Sequence, residues 1–263
     1  MAIVVDDSVK LCGRVGDVTY YQKGDKTIAR KAHNNNNKRN QKRKRQKMSR
    51  GQFIQRARMS HNDTLWRVLR QTGEVFFEGG FSPCHRFRSV NKEVPNVFLT
   101  KDMHEFNTAL LLPGMMLSDG PVPSITYQLG EVIGQAALLT DLTEEEAQKG
   151  RLLLYVLRQD EHKEMFQGYP LGGCPTVSAR QIEVNPTAES QAEEGLAVSF
   201  VKGEMVLTGE MFSDDMMGFG LVHVIDGHAS TQRLVTRCTY YEKFTTEEAL
   251  LTAAASYGKL TGE

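Results

Sequence analysis

Phe219-Gly-Leu-Val-His-Val-Ile-Asp-Gly-His-Ala229 is the stretch from which the fold is read. A β-like run, Phe219–Ile225, meets Asp226-Gly227, and Asp-Gly is a preferred two-residue hairpin turn because both positions must take positive φ. That register puts Ile225 opposite His228 and His223 opposite Ser230. The same alternation of short β-like runs and turn signals continues around it, in Ser124–Leu129, Arg151–Arg158, Thr176–Val184, Leu196–Val201, Met205–Thr208 and Ala229–Tyr241, with Thr187–Gly195 as a polar loop. Runs of this length and spacing predict an antiparallel β-sandwich or barrel of about seven to nine strands over residues 121–263.

Helical signals flank this region. Thr245, Glu248 and Gly258 read as N-cap, capping-box partner and stop of a C-terminal helix, whose Ala249, Ala253, Ala254 and Ala255 suit close packing on a sheet. Glu144–Glu146 open a short helix after Thr143, where negative charge favours the exposed N–H groups. Residues 73–120 form a mixed connecting region, with a strand at Val97–Thr100 and a short helix within Ser82–Asn91. Residues 1–72 hold an irregular start, a hairpin of Val18–Gln22 with Lys26–Arg30, a basic arm and a long helix. That helix runs from about Met48 to Gln71 and ends at Gly73, because Phe53, Ile54, Ala57, Leu65, Val68 and Leu69 recur at helical intervals. The expected class is α+β, β-dominated.

A formal net charge of zero conceals a separation. Residues 1–70 carry eighteen Lys and Arg against five Asp and Glu, a balance of +13, so the remainder carries −13. The cations concentrate in Lys38, Arg39, Lys42, Arg43, Lys44, Arg45, Lys47, Arg50, Arg56 and Arg58, a span without one acid. Such a run cannot bury apolar surface and repels itself. It has three readings: a solvated face, a nucleic-acid contact through counterion release, or docking on an acidic protein surface such as that of a neighbouring copy. Asn40, Gln41, Gln46, Gln52 and Gln55 can hydrogen-bond phosphates or base edges. The near absence of aromatic residues between Ala32 and Gly51 argues against single-strand readout by stacking.

Few residues carry a chemical signature. Cys12, Cys84, Cys174 and Cys238 match no zinc or disulfide spacing and read as small core thiols. His223 and His228 share one face of the hairpin beside Asp226, but two ligands do not make a zinc site. Cys84-His85 is adjacent in sequence rather than assembled in space, and Asp214-Asp215 reads as a loop. No GxGxxG, Walker, GxSxG or HExxH sequence occurs. No catalytic residue, metal or cofactor is expected. No run approaches the length of a membrane span, and the two aspartates Asp6 and Asp7 interrupt any secretory signal. The expected location is cytoplasmic, or virion-associated for a phage-encoded protein.

Gly13-Arg-Val-Gly-Asp-Val-Thr-Tyr-Tyr21, Arg30, Asn34–Asn37, Gln55-Arg56, Leu99-Thr-Lys101, Leu117-Ser-Asp-Gly-Pro-Val-Pro-Ser-Ile125, Ser230-Thr-Gln232 and Ser256-Tyr-Gly258 together resemble a family of uncharacterised proteins from gut Bacteroidetes and their prophages. The resemblance implies a virion or mobile-element structural role and carries over no catalytic residue. The sequence therefore predicts a non-enzymatic structural or assembly protein that self-associates into homo-oligomers or contacts nucleic acid through its basic arm. The alternatives are a cytosolic nucleic-acid-binding accessory protein and, after it, a small-ligand-binding or enzymatic β domain.

Overall fold

The computed structural model describes residues 2–5, 13–15, 18–23, 26–31, 48–79, 82–162, 165–166, 169–170, 174–187 and 195–258. Contacts divide the chain into two compact units, Met1–Lys47 and Met48–Glu263. The long helix, expected with the N-terminal appendage, belongs to the larger one.

In the first unit, β1 (Ala2–Val5), β2 (Gly13–Val15), β3 (Val18–Lys23) and β4 (Lys26–Lys31) form an antiparallel sheet in the order β1-β4-β3-β2. The expected hairpin is β3–β4, with Val18 opposite Lys31. The start of the chain, read as irregular, instead supplies both outer strands. Their few residues gain order from pairing rather than from their own pattern.

The second unit runs α1 (Arg50–Gln71), α2 (Pro83–Val90), α3 (Lys101–Glu105), β5 (Met116–Ser118), β6 (Tyr127–Val132), β7 (Gln135–Thr143), α4 (Glu144–Ala147), β8 (Arg151–His162), β9 (Met165–Phe166), β10 (Tyr169–Pro170), β11 (Cys174–Val184), β12 (Ala197–Val201), β13 (Glu204–Thr208), β14 (Met217–Ile225), β15 (His228–Ala229), β16 (Gln232–Arg233), β17 (Val235–Thr236) and α5 (Glu247–Ser256). The fold is β-dominated α+β. Of its sheets the two larger have the orders β11-β8-β14-β15, with β17 also on β14, and β12-β13-β7-β6; β9 with β10 and β5 with β16 form two-stranded sheets.

β8 decides the layering. Leu152, Leu154 and Val156 join Leu138, Leu207, Phe219 and Leu221 in the core between the two sheets. Leu153, Tyr155 and Leu157 point the other way, onto Leu65, Trp66 and Leu69 of α1 and Phe87 of α2. Alternate residues of a strand face opposite sides, so the run Leu152–Leu157 is apolar throughout because both its faces are covered. Trp66, Phe77 and Phe87 form a mutual aromatic cluster with centroids 5.2 to 5.8 Å apart.

Between helices and sheet lies Ala109-Leu-Leu-Leu112, fully buried yet in no strand. A buried backbone needs hydrogen-bond partners; Ala109 N–H donates to the Pro175 carbonyl of β11 (3.1 Å), and side chains serve its neighbours. Leu110 N–H donates to His61 Nε2 (3.0 Å) and Leu111 N–H to Gln159 Oε1 (2.8 Å), while Gln159 Nε2 donates to the Ala109 carbonyl (3.2 Å). Nearby, Asn91 Oδ1 accepts from Met116 N–H (2.8 Å).

The hairpins β6–β7, β12–β13 and β14–β15 turn at Ile133-Gly134, Lys202-Gly203 and Asp226-Gly227, all with positive φ at both positions. These are type I′ turns, matched to strand twist. Only the Asp-Gly turn was legible in advance. Ile133 is 99% exposed with φ of 51°, a conformation β-branched residues disfavour.

Three local expectations change. Val97–Thr100 is a buried connector rather than a strand; Phe98 N–H donates to the Phe244 carbonyl (2.8 Å), and Thr100 caps α3. Ala229–Tyr241 breaks into β15, β16 and β17, since β16 leaves for β5 while β17 returns to β14. The C-terminal helix is capped by Thr246, not Thr245, and Ala253 and Ala254 pack with Phe53 and Phe98 in a separate small core rather than in either sheet core.

Candidate functional site

α1 begins where the basic run ends. Ser49 caps it in a full capping box: its hydroxyl accepts from Gln52 N–H (3.3 Å), and Gln52 Oε1 accepts from Ser49 N–H (3.2 Å). The box fixes the first turn, which contains no acid. Lys38, Arg39, Lys42, Arg43, Lys44, Arg45 and Lys47 lie outside the described residues. The three remaining basic candidates diverge. Arg50 pairs with Glu247 of α5, and Arg58 Nε donates to Asn96 Oδ1 (2.6 Å). Arg56 is exposed and has no hydrogen-bond or ion-pair partner among the described residues.

Beneath Arg56 opens a cleft of about 230 Å³, lined by Met48, Phe53, Arg56, Ala57, Ser60, His61, Leu99, His104 and Tyr257. α1 forms one wall, the connector and α3 another, and the end of α5 a third. Phe53, Arg56, Ala57, Ser60 and His61 share one helical face because they recur at steps of three and four residues. Phe53 meets the Tyr257 ring edge-on at 6.0 Å. The Ser60 hydroxyl lies 2.7 Å from His104 Nε2 and 3.2 Å from Nδ1. His61 is buried, and burial holds its pKa down at about 3, against the smaller opposing effect of a backbone hydrogen bond with Leu110; it is a neutral acceptor. Burial also raises the Tyr257 phenol, helped by the nearby negative charge of Glu105 and Asp102.

Composition and motifs gave no warning of this cleft. Ser60, His104 and Tyr257 come from three separate helical segments, and each alone is an ordinary residue. The small-ligand alternative had been placed in the β domain, whereas the cleft lies among the helices.

The remaining constellations separate in space. His223 is buried and contacts the Lys149 carbonyl through Nε2, while His228 Nδ1 sits 3.0 Å from Glu78 Oε2. The hairpin register is as expected, with Ile225 opposite His228 and Ser230 N–H donating to the His223 carbonyl (2.8 Å); the imidazoles nevertheless serve different partners. No cluster of three metal-ligating side chains occurs among the described residues. Cys84 and His85 are successive residues of α2, whose Ser82 cap takes the His85 amide. Glu146 completes a capping box with Thr143, whose hydroxyl and amide hold its carboxylate below the usual range. Cys84, Cys174 and Cys238 form no disulfide among the described residues. No described helix is long and apolar enough to cross a membrane. Comparison with family models, with curated proteins and with solved structures gives no match to this chain.

Proposed function

We propose that this is a non-enzymatic structural or assembly protein that engages a polyanion through its basic segment and associates with copies of itself. The observation that carries the reading is the charge segregation, +13 through Arg70 against −13 beyond it. Arg56 places a cation on α1 that no described carboxylate neutralises. Arg50, spent on Glu247, contributes less. Segregated charge favours head-to-tail contact between copies, and the outer strands β6, β11 and β12 offer main-chain groups for lateral pairing. The resemblance to prophage-associated proteins points the same way.

The test is a gel shift with duplex DNA across a salt series, run beside sedimentation of the full chain. Each phosphate contact contributes about 0.9 to the slope of log affinity against log salt. Replacing Lys42, Arg43, Lys44 and Arg45 with glutamine is expected to flatten that slope by about 3 to 4. Salt-indifferent binding, or a monomer at low salt and high concentration, would overturn the reading. The runner-up, a nucleic-acid-binding accessory protein, differs in predicting the same gel shift from a monomer.

A further inference from the structure

We infer that the cleft between α1, α3 and the end of α5 binds a small amphiphilic carboxylate. Arg56 and the Ser60–His104 pair hold its head group, and Met48, Phe53 and Leu99 receive its apolar body. The inference does not depend on the polyanion reading, since the cleft is too small for a nucleic acid.

The lining sets the size. About 230 Å³ is below the usual range for drug-sized ligands and suits roughly ten non-hydrogen atoms. Its polarity is graded along α1. Phe53 and Met48 are apolar and almost wholly buried, and Tyr257 lays its ring against Phe53. Arg56 and Ala57 follow one turn on, then Ser60 and His61. At 1.5 Å per residue the wall from Phe53 to His61 is about 12 Å long, enough to hold a short acid with a six-carbon or aromatic body.

The charge sets the class. Arg56 is the cation of the lining and is unpaired among the described residues. The nearest lysine of α3, Lys101, is held by Glu105 at 3.3 Å. His61 contributes no charge, its Nε2 being occupied by the Leu110 amide. One guanidinium with a hydroxyl and an imidazole alongside matches a singly charged planar carboxylate, which a guanidinium can grip with two parallel hydrogen bonds. A phosphate dianion would need a second cation, and an amine would meet Arg56 head-on. The contact between Ser60 and His104 orients both groups before a ligand arrives, which lowers the entropy cost of binding. It does not make a nucleophile: among the described residues no third group hydrogen-bonds the His104 imidazole.

The experiment uses the full chain with hexanoate and benzoate as probes, against hexanamide, benzamide and hexylamine. Ligand-observed NMR measures affinity, and the imidazole signals of His104 report occupancy. Both acids are expected to bind saturably, at least about tenfold tighter than their amides, and to shift the His104 signals. Arg56→Gln should remove the preference for acid over amide. Ala57→Leu, which fills the cleft, should abolish binding of all probes while leaving the DNA gel shift intact, and Arg67→Gln, exposed further along α1, should change neither. The inference fails if the wild type shows no saturable binding of either acid up to about 10 mM. It also fails if amides bind equally well, or if the His104 signals stay fixed while an acid binds elsewhere.

Discussion

His61 concentrates the acid sensitivity of the core in one side chain. Its imidazole must stay neutral to accept the Leu110 amide, and burial lowers its pKa from 6.5 to about 3. Below pH 6.5 the unfolded chain binds a proton that the folded chain refuses. This contribution to stability is therefore complete above that pH and is lost as pH falls toward 3, at roughly 1.4 kcal/mol per pH unit. Urea titrations at pH 7 and pH 5 should show the loss, and His61→Gln should shrink it by removing the ionisable group. Gly150 is a second sensitive residue. Its φ is +92°, and a Cβ there would sit 2.2 Å from the Val224 carbonyl oxygen, so Gly150→Ala should cost about 2 kcal/mol. Ile133 runs in the opposite direction: Ile133→Asn at the exposed turn should raise the unfolding midpoint by relieving about 1 kcal/mol of left-handed strain.

Among the elements, β8 joins the two cores. Leu154 is fully buried between the sheets, and Leu154→Ala should cost about 3 kcal/mol in denaturant unfolding. The apolar run around Leu154 made the strand legible, as Asp226-Gly227 did the β14–β15 hairpin and Ser82 the start of α2. Where the sequence misled, tertiary context had overridden a local signal. β7 escaped notice because its turn carries Ile133, a residue type that does not announce a type I′ turn, and because Ala136 and Ala137 mute its alternation. Val97–Thr100 reads as a strand because its residues are β-prone, yet burial alone accounts for the apolarity of the first three. His61, Asn91 and Gln159 were invisible as structural residues because their partners are backbone groups 17 to 50 positions away. The cleft was hidden for the same reason.

For the whole molecule, the division after Lys47 coincides with a change in electrostatics. Residues 1–47 hold thirteen Lys and Arg against four Asp and Glu, so a chain beginning at Met48 carries −9. Keeping Met48 and the Ser49 cap, that chain should unfold in one cooperative transition, fail to shift DNA and still bind hexanoate. Calorimetry, gel shift and NMR on the one truncated protein would thus part the polyanion reading from the cleft.

The Ala109–Leu112 segment has an equilibrium signature of its own. The Leu110 and Leu111 amides are held by side chains from α1 and β8 rather than by a neighbouring strand, so no local fraying can release them singly. Deuterium should therefore enter Leu110 and Leu111 only when the helical layer and the central sheet come apart together. These two loop amides should rank with those of β8 among the slowest in the protein.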